Sequence, residues 1–483
     1  MKHIIFKISL MVVFAFGISS CEDYLGGDTN IDPNRTNDAS LNTLTPTILF
    51  FSAESTQQAA VVANQYIQQI GSVAAGGTDV QLRNTFAGVF NNIYLNIIPN
   101  ANTMIKKAEA NNSPHYSGLA KVVLAYNLGL GTSIWENIPF KSADNQLSDF
   151  APKYDTQEQI YKDILRLLDE AIADLSKTES LFKPGNDDIV FRGNISNWLK
   201  TAHSLKARYL LHMAKKNGAS SYAGILDALS KSIKVNTEDF QLVYNDRNFN
   251  RWYQVALANN TGNVTTNFSE TFVDLMNGVR QGVADPRIPL LAFKTVAADT
   301  VFRGMVPGRA SGSNTRYNNG TVFFGWNFAQ LAPLQMVTNA ESKFIEAEVR
   351  MLQNNGKATT EAYNAYLDGI RANMTKIGVA AADVTRFTSH PNIAVGADKL
   401  TLSNVLVEKY KALFLNPEAW NDLRRYDYSS NIIPGLDLPE LHNPDLKGKW
   451  IQRGHYPDSE ASRNSKVATE NFKELDAKMW IFN

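Results

Sequence analysis

The sequence predicts a mainly α fold, a helical-hairpin scaffold that carries long irregular loops. Three observations predict it. The stretches "DTQEQIYKDILRLLDEAIADL" (155–175) and "NISNWLKTAHSLKARYLLHMAKKNG" (194–218) space apolar residues three and four apart, as on one helix face. Residues 340–374 read as two further helices joined at Gly356. Between these, residues 236–335 mix Asn, Gly, Thr and aromatics without a sustained period. Loops of that length in a compact domain are either functional or disordered, and their aromatic content argues against disorder.

The chain opens with a basic start (Lys2, His3, Lys7) and the uncharged run "ISLMVVFAFG". That run, about ten residues, is too short for a permanent membrane-spanning helix. Ser19 and Ser20 stand directly before Cys21, the only cysteine in 483 residues. A lone thiol has no partner within the chain for a disulfide and is a poor start for a zinc site. The order resembles the lipobox of bacterial lipoproteins. Residues 1–20 are then a signal peptide, cut after Ser20, and Cys21 carries the acyl (palmitate-type) anchor. Residues 21–40 ("CEDYLGGDTNIDPNRTNDAS") are short of large apolar residues and read as a tether. Glu22 and Asp23 resemble the acidic residues that accompany surface export in Bacteroidetes-type lipoproteins.

Residues 41–483 form the body. Helical signal runs through 48–70, 86–111 and 117–131. In 155–175 the stripe is Ile160, Ile164, Leu167, Leu168, Ala171, Ile172 and Leu175, and Thr156 with Gln159 fits a capping box. In 194–218 it is Ile195, Trp198, Leu199, Ala202, Leu205, Tyr209 and Met213, with Asn194 as cap and Gly218 as stop. The pair in 340–374, roughly 35 residues, has the length of a tetratricopeptide-like hairpin. Another helix covers 403–415. Residues 428–471 are rich in Pro, Gly, Asn and Ser and read as loop.

Composition narrows function. Acidic and basic residues balance at 47 each with no basic cluster, which disfavours a nucleic-acid partner. The seven histidines include no H-E-x-x-H pattern, and there is neither a G-x-S-x-G elbow nor a phosphate loop. Glu346 and Glu348 lie two apart on a helix and point to different faces, so they cannot face each other as a glycosidase pair. No catalytic residue, metal or cofactor is expected.

Several segments, in order, resemble the SusD/RagB family, in its SusD-like starch-binding-associated branch. They are "NIDPNRTNDAS" (30–40), "WENIPFKSA" (135–143) with "PKYDTQEQIYKDILRLLDEAI" (152–172), and "FRGNISNWLKTAHSLKARYLLHMA" (191–214). "DPRIP" (285–289), "AESKFIEAE" (340–348), "EKYKALFLNPEAWNDLRRYDY" (408–428) and "RGHYPDSEASRN" (453–464) continue the series. The resemblance implies an outer-membrane lipoprotein on the extracellular face with tetratricopeptide-like helix pairs. It would bind a nutrient oligomer and cap a SusC-like TonB-dependent barrel, performing no chemistry itself. The motif residues read mostly as structural, and the charges Glu418, Arg424 and Arg425 beside Trp420 as an internal ion pair or a backbone clamp rather than catalytic groups.

Ligand contacts are expected in the loops, where flat rings and hydrogen-bonding side chains occur together. One group is Arg251, Trp252 and Tyr253 beside Asn248 and Asn250. A second is Tyr317, Asn318, Asn319 and Trp326. A third lies in 76–94, with Asp79, Arg83, Asn84, Asn91 and Tyr94. Oligosaccharide and oligopeptide ligands both fit this mixture. A surface glycan-degrading enzyme and an adhesin or scaffold lipoprotein are the alternatives, the first disfavoured by the missing acid/base pair.

Overall fold

The computed structural model describes residues 39–74, 76–142, 151–294, 301–309 and 321–483. Cys21, the expected signal peptide and nearly all of the tether lie outside them. Helices form where the apolar stripes lie. They are α1 Leu41–Tyr66, α2 Ala87–Asn91, α3 Ile98–Ala110, α4 Pro114–Trp135, α5 Gln157–Leu175, α6 Ile195–His212, α7 Ala214–Asn217 and α8 Tyr222–Ser230. A π-helical turn, Asn92–Ile97, joins α2 to α3.

Along α5, Ile160, Ile164, Leu167, Leu168, Ala171 and Leu175 are buried, while Ile172 is half-buried at the edge of the stripe. Thr156 Oγ1 accepts from Gln159 N at 3.3 Å, but the Gln159 side chain donates to Asp163 instead of turning back. Only half of the capping box forms. Asn194 Oδ1 caps α6 by accepting from Asn197 N at 3.2 Å. That helix ends at His212, earlier than expected, and Gly218 closes the short α7 that follows.

The helices pack as successive antiparallel neighbours: α3 on α4, α4 on α5, α5 on α6 and α6 on α8. Nearly every residue of α4 is buried. Two glycines permit its close contacts. A Cβ on Gly118 would lie 2.6 Å from Leu175 Cγ of α5, and one on Gly129 would lie 2.1 Å from Tyr209 Oη of α6. Trp198 is fully buried against Phe191 and Phe240, and its indole N–H donates to Asp188 at 2.8 Å.

Residues 236–335 contain α9 Arg251–Asn260, α10 Glu270–Met276 and strands β2 Phe240–Leu242, β3 Thr266–Phe268, β4 Ala292–Lys294 and β5 Thr321–Phe323. Strand β6, Leu334–Val337, ends the region, and β1, Ile70–Ser72, follows α1. Each pairs antiparallel with one partner: β1 with β3, β2 with β6 and β4 with β5. The ladder from Ile70 to Phe268 fastens this region to the end of α1.

The expected hairpin is α11 Asn339–Gln353 and α12 Thr360–Ile377, capped by Thr338 and Thr359. Gly356 sits between them at φ +82°, a left-handed conformation that suits glycine. The chain continues through α13 Ala381–Thr388, α14 Leu402–Ala412 and α15 Glu418–Arg425. Within 428–471 the only α-helices are the short α16 Asp458–Arg463 and α17 Ser465–Glu470, with one 3-10 turn at Pro444–Leu446.

Three buried ionic clasps join charge motifs that are far apart in the sequence. In one, Arg287 holds Asp285 and Glu408, and Lys411 bridges the same two carboxylates at 3.0 and 2.6 Å. In the second, Arg425 reaches Glu348 at 2.7 Å and Asp422 at 2.6 Å, while Lys409 binds Asp422 at 2.9 Å. In the third, Arg208 takes both oxygens of Glu341 at 2.6 Å, and His212 bonds Glu418 at 2.5 Å. Trp420 stacks under the Arg424 guanidinium, 3.8 Å from its ring centre. Glu346, by contrast, faces outward to Arg350.

Candidate ligand-binding face

The start of α9 is built by Asn250. Its Oδ1 caps the helix by accepting from Trp252 N at 2.8 Å. Its Nδ2 donates to the carbonyls of Asn327 and Ala332, each at 3.0 Å, and its own N–H donates to Gln330 O. One side chain thus locks the Trp326 turn against α9, bringing Trp326 of the second expected group beside the first. Arg251 Nε donates to both oxygens of buried Glu54 on α1 at 2.9 Å, and Nη1 donates to Gln254. The Glu54 carboxylate raises the Arg251 pKa, and the Arg251 side chain remains 38% exposed. Tyr253 is half-buried and meets Phe249 edge-on at 6.1 Å.

Trp252 is a correction. It is only 2% exposed and belongs to the main core, so its ring offers no face to a ligand. Trp252, Ala256 and Asn259 recur at spacings of four and three, and all are buried. That short period marks a helix face within "RWYQVALANN" and was the available signal. Trp326 is half-buried and packs on the core from outside. Tyr317, Asn318 and Asn319 lie outside the described residues.

The exposed rings are others. Phe293 on β4 and Phe324, just after β5, are 53% and 55% exposed, with centroids 5.8 Å apart. The pairing of β4 with β5 sets them side by side, and β5 and the Trp326 turn both contact α9. Sequence reasoning missed both, because nothing local distinguishes a cross-strand exposed Phe from a core Phe.

The 76–94 group does not assemble into one site. Asp79 is buried and its carboxylate accepts from Gly308 N at 3.0 Å, clamping two loops together. Burial raises its pKa, against the lowering effect of that and other backbone hydrogen bonds. This is a structural part, which corrects its expected role. Arg83 is half-exposed and engages His455 at 3.0 Å and Asp458 at 2.8 Å. Asn84 accepts from Phe86 N through Oδ1, and its carbonyl accepts from His455 N. Asn91 is exposed. Tyr94 packs its ring on Phe90 at 4.3 Å, and its buried hydroxyl has no hydrogen-bond partner. Arg83 and Asn84 thus meet the C-terminal segment at His455 and Asp458, whereas Arg251, Tyr253, Trp326, Phe293 and Phe324 share the α9–β5 region.

Among the described residues no group of three or more His, Cys, Asp or Glu could hold a metal ion. No described helix is long and apolar enough to cross a membrane.

Comparison with known proteins places this architecture. The SusD-like family described as "starch-binding associating with outer membrane" matches residues 33–457. A SusD/RagB family protein from Bacteroides thetaiotaomicron has 21% identity and a TM-score of 0.72, covering 92% of this chain and 99% of its own. A SusD homolog from Bacteroides fragilis shows 20% identity and a TM-score of 0.75, over 92% and 100% of the two chains. A chitin-binding SusD homolog from Flavobacterium johnsoniae shows 17% identity and a TM-score of 0.74, over 92% and 98%. No curated protein matches. The fold is the helical SusD-like fold, and the chain belongs to the SusD-like family of starch-binding proteins that associate with the outer membrane.

Proposed function

We propose that this protein captures an oligosaccharide at the cell surface on the α9–β5 face and passes it, chemically unchanged, to a SusC-like TonB-dependent barrel. The observation that carries the reading is the pair of adjacent exposed rings, Phe293 and Phe324, in a region that also presents Arg251 and Tyr253. Flat apolar rings bury the hydrophobic faces of sugars, and nearby hydrogen-bonding groups fix orientation. The family description and the relatives named for chitin binding favour a glycan over a peptide. Lipidation at Cys21 would hold the protein on the extracellular face of the outer membrane.

Three experiments test this. A calorimetric screen should find binding to starch- or chitin-derived oligosaccharides and none to mixed oligopeptides; the reverse result would make the ligand a peptide. Affinity purification from native membranes should recover a TonB-dependent barrel. Its absence under mild detergent would favour a free-standing adhesin or scaffold. Cys21→Ala should release the protein from the outer-membrane fraction.

A further inference from the structure

The start of α9 puts a guanidinium at the surface and a buried carboxylate behind it. Arg251 keeps 38% of its side chain exposed, whereas Glu54 on α1 keeps 9%. Main chain and side chain of Arg251 are held separately. Asn250 caps α9 through Trp252 N at 2.8 Å and so sets where Arg251 leaves the helix. Both oxygens of Glu54 accept from Arg251 Nε at 2.9 Å, and Gln254 Oε1 accepts from Nη1 at 3.1 Å. Nη2 makes no hydrogen bond among the described residues, so its donors remain for another acceptor.

Glu54 is a costly residue for its position. Its neighbours Ala53 and Ser55 are fully buried, and Thr56 bonds the Tyr126 hydroxyl at 2.7 Å in the interior. Tyr244 is also buried, and its hydroxyl has no hydrogen-bond partner. It stands in the field of the pair: burial and then Glu54 raise its pKa, while Arg251 lowers it. A carboxylate among such groups loses its hydration, and a buried ion pair returns little net stability over an apolar side chain. Arg251 does not need the pair either, since an exposed guanidinium is hydrated at the end of its stem. Stability therefore does not account for the pairing. What the carboxylate supplies is direction. It is carried by a 26-residue helix packed in the main core, so it fixes the guanidinium as firmly as the scaffold itself. Side-chain freedom removed before binding is not lost on binding.

We infer that Glu54 is a positioning residue for ligand binding: from α1 it holds the Arg251 guanidinium toward solvent, so that the α9–β5 face meets a sugar oxygen with a pre-set donor. The inference rests on the reading of that face as the oligosaccharide site. Arg251 touches the ligand, and Glu54 acts only through it.

Calorimetric titration with maltoheptaose and with chitohexaose, run beside thermal melts, tests this. Against the probe that the native protein binds, Arg251→Met should weaken affinity about tenfold and Glu54→Leu by a similar factor, the scale of one hydrogen bond to a charged group. Tm of Glu54→Leu should stay at the native value. Glu54→Asp, which keeps the charge but draws the carboxylate back by one methylene, should weaken binding in the same direction and decides the matter if Glu54→Leu does not fold. Adding either Glu54 substitution to Arg251→Met should cost no further affinity, because the group it positions is gone. A purely structural Glu54 would not produce that non-additivity. Native affinity in the Glu54 variants, losses that multiply with that of Arg251→Met, or a loss that only follows a fallen Tm overturns the inference. Native affinity in Arg251→Met, with Phe293→Ala/Phe324→Ala weakened, overturns it too. Failure of the underlying reading looks different: neither probe binds the native protein, or Arg251→Met and the double Phe variant both bind at native affinity. The role of Glu54 then falls with the site.

Discussion

Tryptophans separate two kinds of position at the residue scale. Trp198 was legible as core, because its stripe continues over five turns and leaves the ring no other direction. Trp252 was not, because Asn-rich flanks disguise a helix of ten residues whose buried face shows only three positions. Trp252→Ala should cost about 3–5 kcal/mol, the usual penalty for emptying a core of a large ring, and lower Tm in a thermal melt. Phe324→Ala should leave Tm unchanged, since the ring is more than half exposed. It should weaken oligosaccharide binding by about 1–3 kcal/mol, by analogy with nucleobases stacked on aromatic side chains. Equal Tm losses in the two variants would mean that the exposure difference has no energetic counterpart.

At the scale of elements, the long helices were readable and the short strands were not. A three-residue strand is too brief to establish alternation, and β1 pairs with β3 almost 200 residues downstream, beyond any local signal. Glu418, Arg424 and Arg425 were legible as an internal ion pair or backbone clamp, but the partners across the chain were not: "DPRIP" contains Asp285 and Arg287, while Glu408 and Lys411 come from α14. The clasps join α6, α11, α14, α15 and the turn after α10. A buried charge left without its partner costs about 3–5 kcal/mol. Glu348→Gln, which strips the countercharge from Arg425 and Lys409, should therefore destabilise by that order in urea unfolding. Glu346→Gln, two residues away and facing Arg350 at the surface, should not; a comparable loss there would contradict the assigned geometry.

For the whole molecule, the clasps make stability depend on pH. Burial would raise the Glu348 pKa, but Arg425 and Lys409 overcome it and hold the group at about 2. Asp285 and Glu418 are lowered in the same way, against burial, by Arg287 and Lys411 and by His212 and Arg208. A depressed carboxylate contributes stability that is fully present above its unfolded pKa and lost as pH falls through the folded one. Tm should therefore hold steady near neutrality and drop as pH falls from 4.5, the ordinary glutamate value, toward 2. Asp79 and Asp239, raised by burial, act in the opposite sense and soften the fall. A Tm that rises with acidification would show that the clasps do not dominate.

The candidate ligand face was half legible at this scale. Arg251 and Trp326 were named from composition, whereas their meeting depends on Asn250 bridging segments some 80 residues apart, and the exposed rings depend on the β4–β5 register. The most direct test of that face is calorimetric titration of the oligosaccharide found by the screen into the native protein and into Phe293→Ala/Phe324→Ala. The account predicts binding by the native protein and its loss in the double variant, with Tm and barrel co-purification unchanged. Full affinity in a correctly folded double variant would contradict it.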